Sequence, residues 1–243
     1  MKDRPFADKK VILFDWNRTL VDVSRSFDKA FVHVLEQYTA RWDPPEGYDP
    51  ETVLAAYKAE WRRQRRRAAS LQEEMAINSL KTAFRDLPLP KDREGLAAIH
   101  RQIRREQQQR CTPLPGVLDL LRKLSKTRTL AVISNSEKVN PEKAGLGEWI
   151  PRERCFTAAQ AGYRKPHSGI FLYALKKLKA SPSECIMVGN SWRTDIRGAE
   201  NARIDAVWLN RHAKKPLAFR SSRRIRIAVI RSLPRLLQLL DGD

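Results

Sequence analysis

The chain has 243 residues, of which 42% are hydrophobic and 31% charged, a profile that excludes a disordered or fibrous protein. Forty-seven Lys and Arg residues outnumber 28 Asp and Glu residues, giving a formal net charge of +19. This excess excludes an acidic protein and suits an anionic substrate or a polyanionic partner. The three cysteines form no CxxC pair, which argues against a disulfide framework or a structural zinc site.

The first predicted element is a short apolar run, Val11–Phe14, that ends directly at Asp15. Such a run is typical of a parallel strand buried on both faces. It is too short for a signal peptide or a membrane span. We therefore expect no membrane partner, and three cysteines without paired spacing favour a reducing cytoplasm.

Later apolar runs predict further strands over residues 130–133, 186–188, 206–209 and 225–230. Helical patterns over residues 117–126, 169–178 and 193–202 lie between them, and a last helix is predicted over residues 233–240. Strands that alternate with helices predict an α/β fold with a Rossmann-like, doubly wound parallel sheet.

The segment between the first two strands has a different pattern, because its apolar residues recur at helical spacing. Asp49 followed by Pro50 and Glu51 is a helix start, with an N-cap, a proline at the first position and an acid in the first turn. We predict an α/β core formed by residues 1–21 and 111–243. Residues 22–110 form an inserted α-helical cap subdomain.

Polar residues follow the predicted strands directly, at the edge where parallel sheets bind ligands. An Asp at such a position is a nucleophile, a metal ligand or a turn residue, and the residue type alone leaves these alternatives open. The polar residues at the carboxyl ends of predicted strands are Asp15, Ser134, Asn135 and Asn190. Lys165 offers a positive charge, and Asp195 offers a second oxygen ligand five residues after Asn190.

Four segments, in this order, resemble the motifs of the haloacid-dehalogenase-like (HAD) superfamily of aspartate-nucleophile hydrolases. They are DWNRT (15–19), ISN (133–135), RKP (164–166) and VGNSWRTDIRGAENA (188–202). The resemblance covers essentially the whole chain, and the last segment is the most specific. The insert is similar to the helical cap of the phosphoglycolate-phosphatase and dehalogenase branch.

The resemblance implies a phosphatase that acts on a small phosphorylated metabolite through an aspartyl-phosphate intermediate on Asp15. It also implies that Ser134 and the amide of Asn135 bind phosphoryl oxygens. Lys165 would neutralise the nucleophile and the transferring group. The implied cofactor is Mg²⁺, bound by Asp15, the backbone carbonyl of Asn17, Asn190 and Asp195, since hard oxygen ligands suit this ion.

Two residues depart from the pattern of phosphatases in this superfamily. Asn17 stands where such phosphatases carry a second Asp as general acid and base, and an amide exchanges no proton at neutral pH. Asn190 replaces an acid and is a neutral, weaker ligand for Mg²⁺. The metal site survives in this interpretation because position 17 contributes its carbonyl, whereas the proton-transfer step is in question.

Two alternative functions stay open. A metal-independent dehalogenase also lacks the second Asp, although the spacing from Asn190 to Asp195 is phosphatase-like. The other alternative is a catalytically impaired HAD-like protein that binds an acidic partner or nucleic acid.

A basic cluster at residues 62–67 resembles a nucleic-acid patch, but a solvated helix end that pairs with nearby acids is the favoured interpretation. Residues 22–110 carry 17 basic and 14 acidic side chains, whereas residues 210–243 carry nine and two. The positive charge is therefore dispersed, and residues 211–226 are the denser candidate for contact with a polyanion.

Overall fold

A computed structural model describes residues 5–41, 44–67, 72–136, 138–220, 222 and 224–241, with the backbone alone at 24, 25, 65–67, 72 and 108. The chain divides into two compact units, one formed by residues 1–22 and 112–243 and the other by residues 23–111. The first unit is an α/β core and the second is an inserted helical unit. This architecture confirms the predicted fold class.

Within the described residues, the core unit contains a mixed sheet in the order β5-β4-β1-β6-β7-β9-β8. Every neighbouring pair is parallel except β8 with β9, which is antiparallel. A separate two-stranded ladder joins β2 to β3. The strands are β1 (Val11–Phe14), β2 (Val21–Asp22), β3 (Thr112–Pro113), β4 (Thr129–Ser134), β5 (Cys155–Thr157), β6 (Cys185–Gly189), β7 (Asp205–Leu209), β8 (Leu217–Arg220) and β9 (Ile227–Ile230).

Strand β1 lies between β4 and β6 at the centre of the sheet, and its four side chains are at most 7% exposed. Val11 and Leu13 belong to the core cluster on one face, while Ile12 and Phe14 alternate to the other face and are fully buried. Burial on both faces explains the unbroken apolar run in the sequence. All the strands predicted from such runs are confirmed, with small shifts at their ends.

In both units, the helices of the described residues lie close to the predicted helical segments. The helical unit consists of α1 (Val23–Thr39), α2 (Pro50–Arg67), α3 (Gln72–Ala83) and α4 (Arg93–Gln109). The core unit carries α5 (Val117–Leu124), α6 (Ala158–Ala161), α7 (Ser168–Leu178), α8 (Arg197–Asn201) and α9 (Arg235–Leu240). The start of α2 is as predicted, because the Asp49 carboxylate accepts bonds from the backbone N–H of Glu51 and Thr52.

The helical unit has its own apolar core, so it does not depend on the sheet for a place to bury its apolar side chains. An aromatic group lies at its centre, where the Phe31 and Tyr57 rings are 5.2 Å apart and Tyr57 stacks on Trp61. In the part of the chain that the structure describes, no helix is long and apolar enough to cross a membrane.

The segment predicted as one helix over residues 193–202 differs from that prediction. It begins with a π-helical turn, Trp192–Ile196, and continues as α8. The backbone N–H of Ile196 reaches the Ser191 carbonyl, five residues back, at 3.3 Å. Single π-helical turns are frequent at functional sites because they change the direction of one side chain.

Candidate active site

The candidate site lies where three neighbouring strands of the core end. Asp15 follows β1, Ser134 is the last residue of β4, and Asn190 follows β6. The backbone N–H of Asp15 still donates to the Val188 carbonyl of β6 at 2.9 Å, which fixes the start of the loop after β1. The parallel register therefore brings the three predicted segments to one edge of the sheet.

Lys165 is the centre of this arrangement. Its Nζ donates to Asp15 Oδ1 at 2.7 Å and to the Ile133 carbonyl at 2.8 Å, and it lies 2.8 Å from Asp195 Oδ1. An ammonium has three protons, so these three acceptors satisfy it completely. Lys165 is 4% exposed and Asp195 1%. The structure thus joins the predicted nucleophile, the predicted cation and the last predicted metal ligand in one buried cluster.

Asn135 explains how Lys165 is held in place. Its side-chain amide donates to the Lys165 carbonyl at 2.9 Å, and its Oδ1 accepts from the Lys165 backbone N–H at 2.7 Å. This two-sided bond ties the end of β4 to the loop that carries the lysine. The side chain of Asn135 therefore holds the two segments together.

Asp195 reaches the cluster because the π-helical turn folds it back against Gly189. A Cβ placed on Gly189 would lie 2.3 Å from Asp195 Oδ2, so only glycine fits there. Asp195 Oδ2 also accepts from the backbone N–H of Ser191 at 2.9 Å, and its Oδ1 accepts from the Thr194 hydroxyl at 3.2 Å. Both carboxylate oxygens are thus hydrogen-bonded.

Asn17 lies half-buried beside the loop after β4. Its side-chain N–H donates to Ser136 Oγ at 3.1 Å, and the Ser136 backbone N–H donates to Ser134 Oγ at 3.1 Å. Ser136 thus links two residues that the sequence singled out. Sequence reasoning missed Ser136, and the available signal was its position directly after the ISN segment.

Thr19 is a further site residue that sequence reasoning missed. Its buried hydroxyl donates to Asp15 Oδ2 at 3.0 Å and lies 3.5 Å from Asn190 Oδ1. It therefore bridges the loops after β1 and β6. The available signal was a hydroxyl four residues after the predicted nucleophile, within the DWNRT segment.

Trp208 fixes the other side of Asn190. Its indole N–H donates to the Asn190 backbone carbonyl at 3.1 Å, and its ring meets that of Trp192 edge-on at 5.1 Å. The Arg220 guanidinium lies over both rings, 5.8 Å and 6.0 Å from their centres. This arrangement holds the backbone of the loop after β6.

The electrostatics of the cluster follow from its burial. Burial raises the pKa of the Asp15 carboxyl to about 6, with Asp195 adding to that rise and Lys165 opposing it. Burial lowers the pKa of the Lys165 ammonium, but the two carboxylates outweigh this effect and leave that pKa raised. Lys165 therefore stays cationic at neutral pH.

The donor set fits Mg²⁺ in kind, since every candidate ligand is an oxygen atom. Asp15 Oδ2 and Asn190 Oδ1 both lie within 3.5 Å of the Thr19 hydroxyl. Among the described residues, no group of three His, Cys, Asp or Glu side chains converges as a metal site. A metal ion here would therefore need amide or backbone oxygens to complete its coordination.

The basic cluster at residues 62–67 is in part the solvated helix end that was favoured from the sequence. The Arg63 guanidinium forms two bonds to the Glu60 carboxylate, at 2.6 Å and 2.7 Å. The side chains of residues 65–67 lie outside the described part of the chain.

Curated relatives of known name match parts of the chain or nearly all of it. The chain is 32% identical over 110 residues to the Escherichia coli pyrimidine 5'-nucleotidase YjjG, a match that covers 43% of the chain and 48% of that protein. It is 24% identical over 252 residues to the human N-acylneuraminate-9-phosphatase, covering 96% and 95% of the two chains. The match thus spans about half of the first relative and nearly all of the second.

Solved structures share the fold. The magnesium-bound HAD-hydrolase YfnB from Bacillus subtilis superposes with a TM-score of 0.68 at 19% identity, covering 96% of this chain and 99% of that one. A 2-haloacid dehalogenase from Pseudomonas syringae gives a TM-score of 0.60 at 23% identity, covering 96% and 98%. At these identities the likeness concerns the fold alone.

A family model settles the membership of the chain. The model of the haloacid dehalogenase-like hydrolases matches residues 9–203, which include all four motif segments and the inserted helical unit. The resemblance inferred from the motifs is thereby confirmed. The chain belongs to the haloacid dehalogenase-like hydrolase family.

Proposed function

We propose that the chain is a Mg²⁺-dependent phosphatase that hydrolyses a small phosphorylated metabolite. The observation that carries this proposal is the buried ammonium of Lys165, which contacts the Asp15 carboxylate and the Asp195 carboxylate together. A nucleophilic carboxylate needs such a cation when it attacks an anionic phosphate. The names of the relatives, a nucleotidase and a sugar-acid phosphatase, support the same reaction class.

Asp15 is the proposed nucleophile. One of its carboxylate oxygens attacks phosphorus, the bond from phosphorus to the ester oxygen breaks, and the alcohol leaves with a proton taken from solvent. Water then attacks the aspartyl-phosphate and releases inorganic phosphate. Ser134 and the backbone amide of Asn135 are the proposed partners of the phosphoryl oxygens. Lys165 holds the carboxylate in place and offsets negative charge.

Mg²⁺ would be held by the Asp15 and Asp195 carboxylates, the Asn190 side chain and the Asn17 backbone carbonyl. When bound, the ion supplies further positive charge for the phosphate. The chain itself places these groups through Thr19, which bonds Asp15, and Trp208, which bonds the Asn190 backbone.

Asn17 limits the leaving groups that this site handles well. An amide cannot give a proton to a departing alkoxide, so a leaving group of low pKa, such as an acyl phosphate or a nitrophenolate, is favoured over a sugar alkoxide. The Asn17 side-chain amide donates an N–H to Ser136 Oγ, and its side-chain oxygen can only accept a hydrogen bond. The amide at position 17 also favours the rival function, a binding protein without turnover.

Phosphate release from a panel of phosphorylated metabolites, with Mg²⁺ and with EDTA, tests the proposal. Asp15→Asn should abolish release while the thermal melt keeps its cooperative shape. Asp119→Asn is the matched control, because it makes the same substitution at an exposed position of α5. If neither the wild type nor the two variants release phosphate, the binding function is favoured. If Asp15→Asn stays within a few-fold of wild type, Asp15 is not the nucleophile. Halide release without Mg²⁺ would identify a dehalogenase.

A further inference from the structure

A cavity of about 320 Å³ opens in the core unit beside the candidate site. It is open to solvent, so it suits one small group of a ligand rather than a whole ligand. The residues that line it all come from the end of β4 and the segment after β5: Asn135, Ala158, Ala159, Gly162 and Arg164.

The cavity adjoins the catalytic cluster through two of these residues. Asn135 lines the cavity, and its side chain binds both backbone groups of Lys165. Arg164 lines it as well and immediately precedes Lys165 in the chain. Asn135 is the residue that the cavity shares with the candidate site, so a phosphate bound at the Asn135 backbone amide would have this cavity next to it.

Small residues keep the cavity open. Ala158 and Ala159 begin α6, and Gly162 ends it with a φ of 72°. A Cβ built on Gly162 meets no atom within 4 Å, so the space beside it is empty of protein. The Ala158 side chain packs in the core, whereas Ala159 is exposed, so a larger side chain at position 159 would fill part of the volume.

Arg164 gives the cavity its charge. It is the one charged residue of the lining, and its side chain is exposed to solvent. Across the described ranges, no carboxylate lies within ion-pair distance of its guanidinium. An exposed arginine without a protein anion, among the residues that line a cavity, is able to bind a carboxylate or a phosphate.

We propose that this cavity is a subsite for a second anionic group of the substrate, a carboxylate or a further phosphate, and that Arg164 binds it. The proposal rests on the proposed function, since it places the phosphate that is hydrolysed at Asp15 and Lys165. It narrows the substrate class to phosphate esters that carry another negative charge a few bonds from the ester oxygen.

Matched substrates test the charge preference. Glycerol 3-phosphate and 3-phosphoglycerate differ in one group, a hydroxymethyl against a carboxylate, and fructose 6-phosphate with fructose 1,6-bisphosphate makes the comparison for a second phosphate. Arg164→Ala should lower kcat/KM for the doubly anionic member by about tenfold or more, the range of a charged hydrogen bond, and leave the other member within about twofold. The loss should appear in KM.

Two further variants separate the subsite from a general charge effect. Arg152→Ala removes the same charge at an exposed position of the core unit and should change neither substrate of a pair. Ala159→Leu keeps Arg164 but fills part of the cavity, so it should also weaken the doubly anionic substrate. The side chains of Arg164, Arg152 and Ala159 take no part in the hydrogen bonds of the catalytic cluster. Thermal melts of each variant verify that it folds.

The outcomes distinguish this inference from the proposed function. If wild type hydrolyses both members and Arg164→Ala changes both equally or neither, the subsite is wrong while the phosphatase stands. A selective loss with the carboxylate pair, the bisphosphate pair or both supports the subsite and identifies the anion it binds. If wild type releases no phosphate, calorimetric titration with the same pairs still decides: a preference for the doubly anionic member that Arg164→Ala removes supports the subsite. Equal affinities, or no binding, overturn it.

Discussion

Replacing Lys165 by methionine tests the central contact of the site. The substitution keeps an unbranched apolar stem of similar length, so the packing around it changes little, and removes the ammonium. Asp15 Oδ1, Asp195 Oδ1 and the Ile133 carbonyl then lose a donor that lies 2.7–2.8 Å away. Because the lysine is only 4% exposed, water does not replace that donor freely.

The size of the effect follows from this burial. Removing one partner of a buried ion pair costs about 3–5 kcal/mol, because an uncompensated charge stays behind. For a chain of this length each kcal/mol shifts Tm by about 2–4 °C. Lys165→Met should therefore lower Tm by roughly 6–20 °C. If the proposed function holds, phosphate release should also fall by about 10²–10³-fold, as for the loss of one charge-stabilising donor.

Thermal melts of wild type and variant at neutral pH measure the first effect, and phosphate release under saturating Mg²⁺ measures the second. Lys176→Met is the control, because it makes the same change on the exposed face of α7 and should stay within about 0.5 kcal/mol of wild type. A Tm within about 2 °C of wild type would refute the reasoning, since it would mean that Lys165 does not lie between the two carboxylates.

Three other substitutions probe the surroundings of the site and the core. Asn17→Asp should speed hydrolysis of alkyl phosphates by about 10²–10⁴-fold and of nitrophenyl phosphate much less; steady-state kinetics that show no gain for either would contradict the assigned role. Trp208→Phe removes the indole bond to the Asn190 backbone carbonyl and should weaken Mg²⁺ binding by about two- to tenfold in a calorimetric titration. An unchanged affinity would show that this bond does not support the proposed metal site. Burial raises the pKa of Asp205, but bonds from Lys9 and Arg226 outweigh it and leave the pKa lowered, so Asp205→Asn should reduce Tm most at neutral pH. The difference from wild type should shrink as the pH falls below 3.8 through the lowered pKa, and a difference that does not depend on pH would exclude this linkage.

The strands that the sequence predicts well are those with burial on both faces, because only there does the chain need a continuous apolar run. Strand β8 was not predicted, since Leu217–Arg220 lies at the sheet edge and two of its four residues are exposed. Strand β5 was also missed: three residues, Cys155–Thr157, are too few for a period to be visible. Strand β8 pairs with β9 in the antiparallel direction, so it also lies outside the alternation of parallel strands and helices.

The break in the helix predicted over residues 193–202 has a local cause that no periodicity reveals. Ser191 accepts from the Thr194 backbone N–H, and its own backbone N–H donates to Asp195. These two bonds favour the π-helical turn, which directs Asp195 towards Lys165. The residue types were visible in the sequence, but the direction of one carboxylate depends on bonds that form only after the turn has folded.

Asn135 shows the same limit within the site. The motif order placed it correctly at the end of β4, because strand order alone decides which loops meet at the sheet edge. Its side-chain partner is 30 residues away in the chain, at the backbone of Lys165, and no spacing rule connects the two. Two hydrogen bonds therefore hold the loop after β4 and the loop of Lys165 together. A ligand that binds the Asn135 backbone amide therefore acts on the position of Lys165, and through Lys165 on Asp15. Asn135, Lys165 and Asp15 are thus connected by hydrogen bonds within the protein, and this connection would couple the proposed phosphate site to the proposed nucleophile.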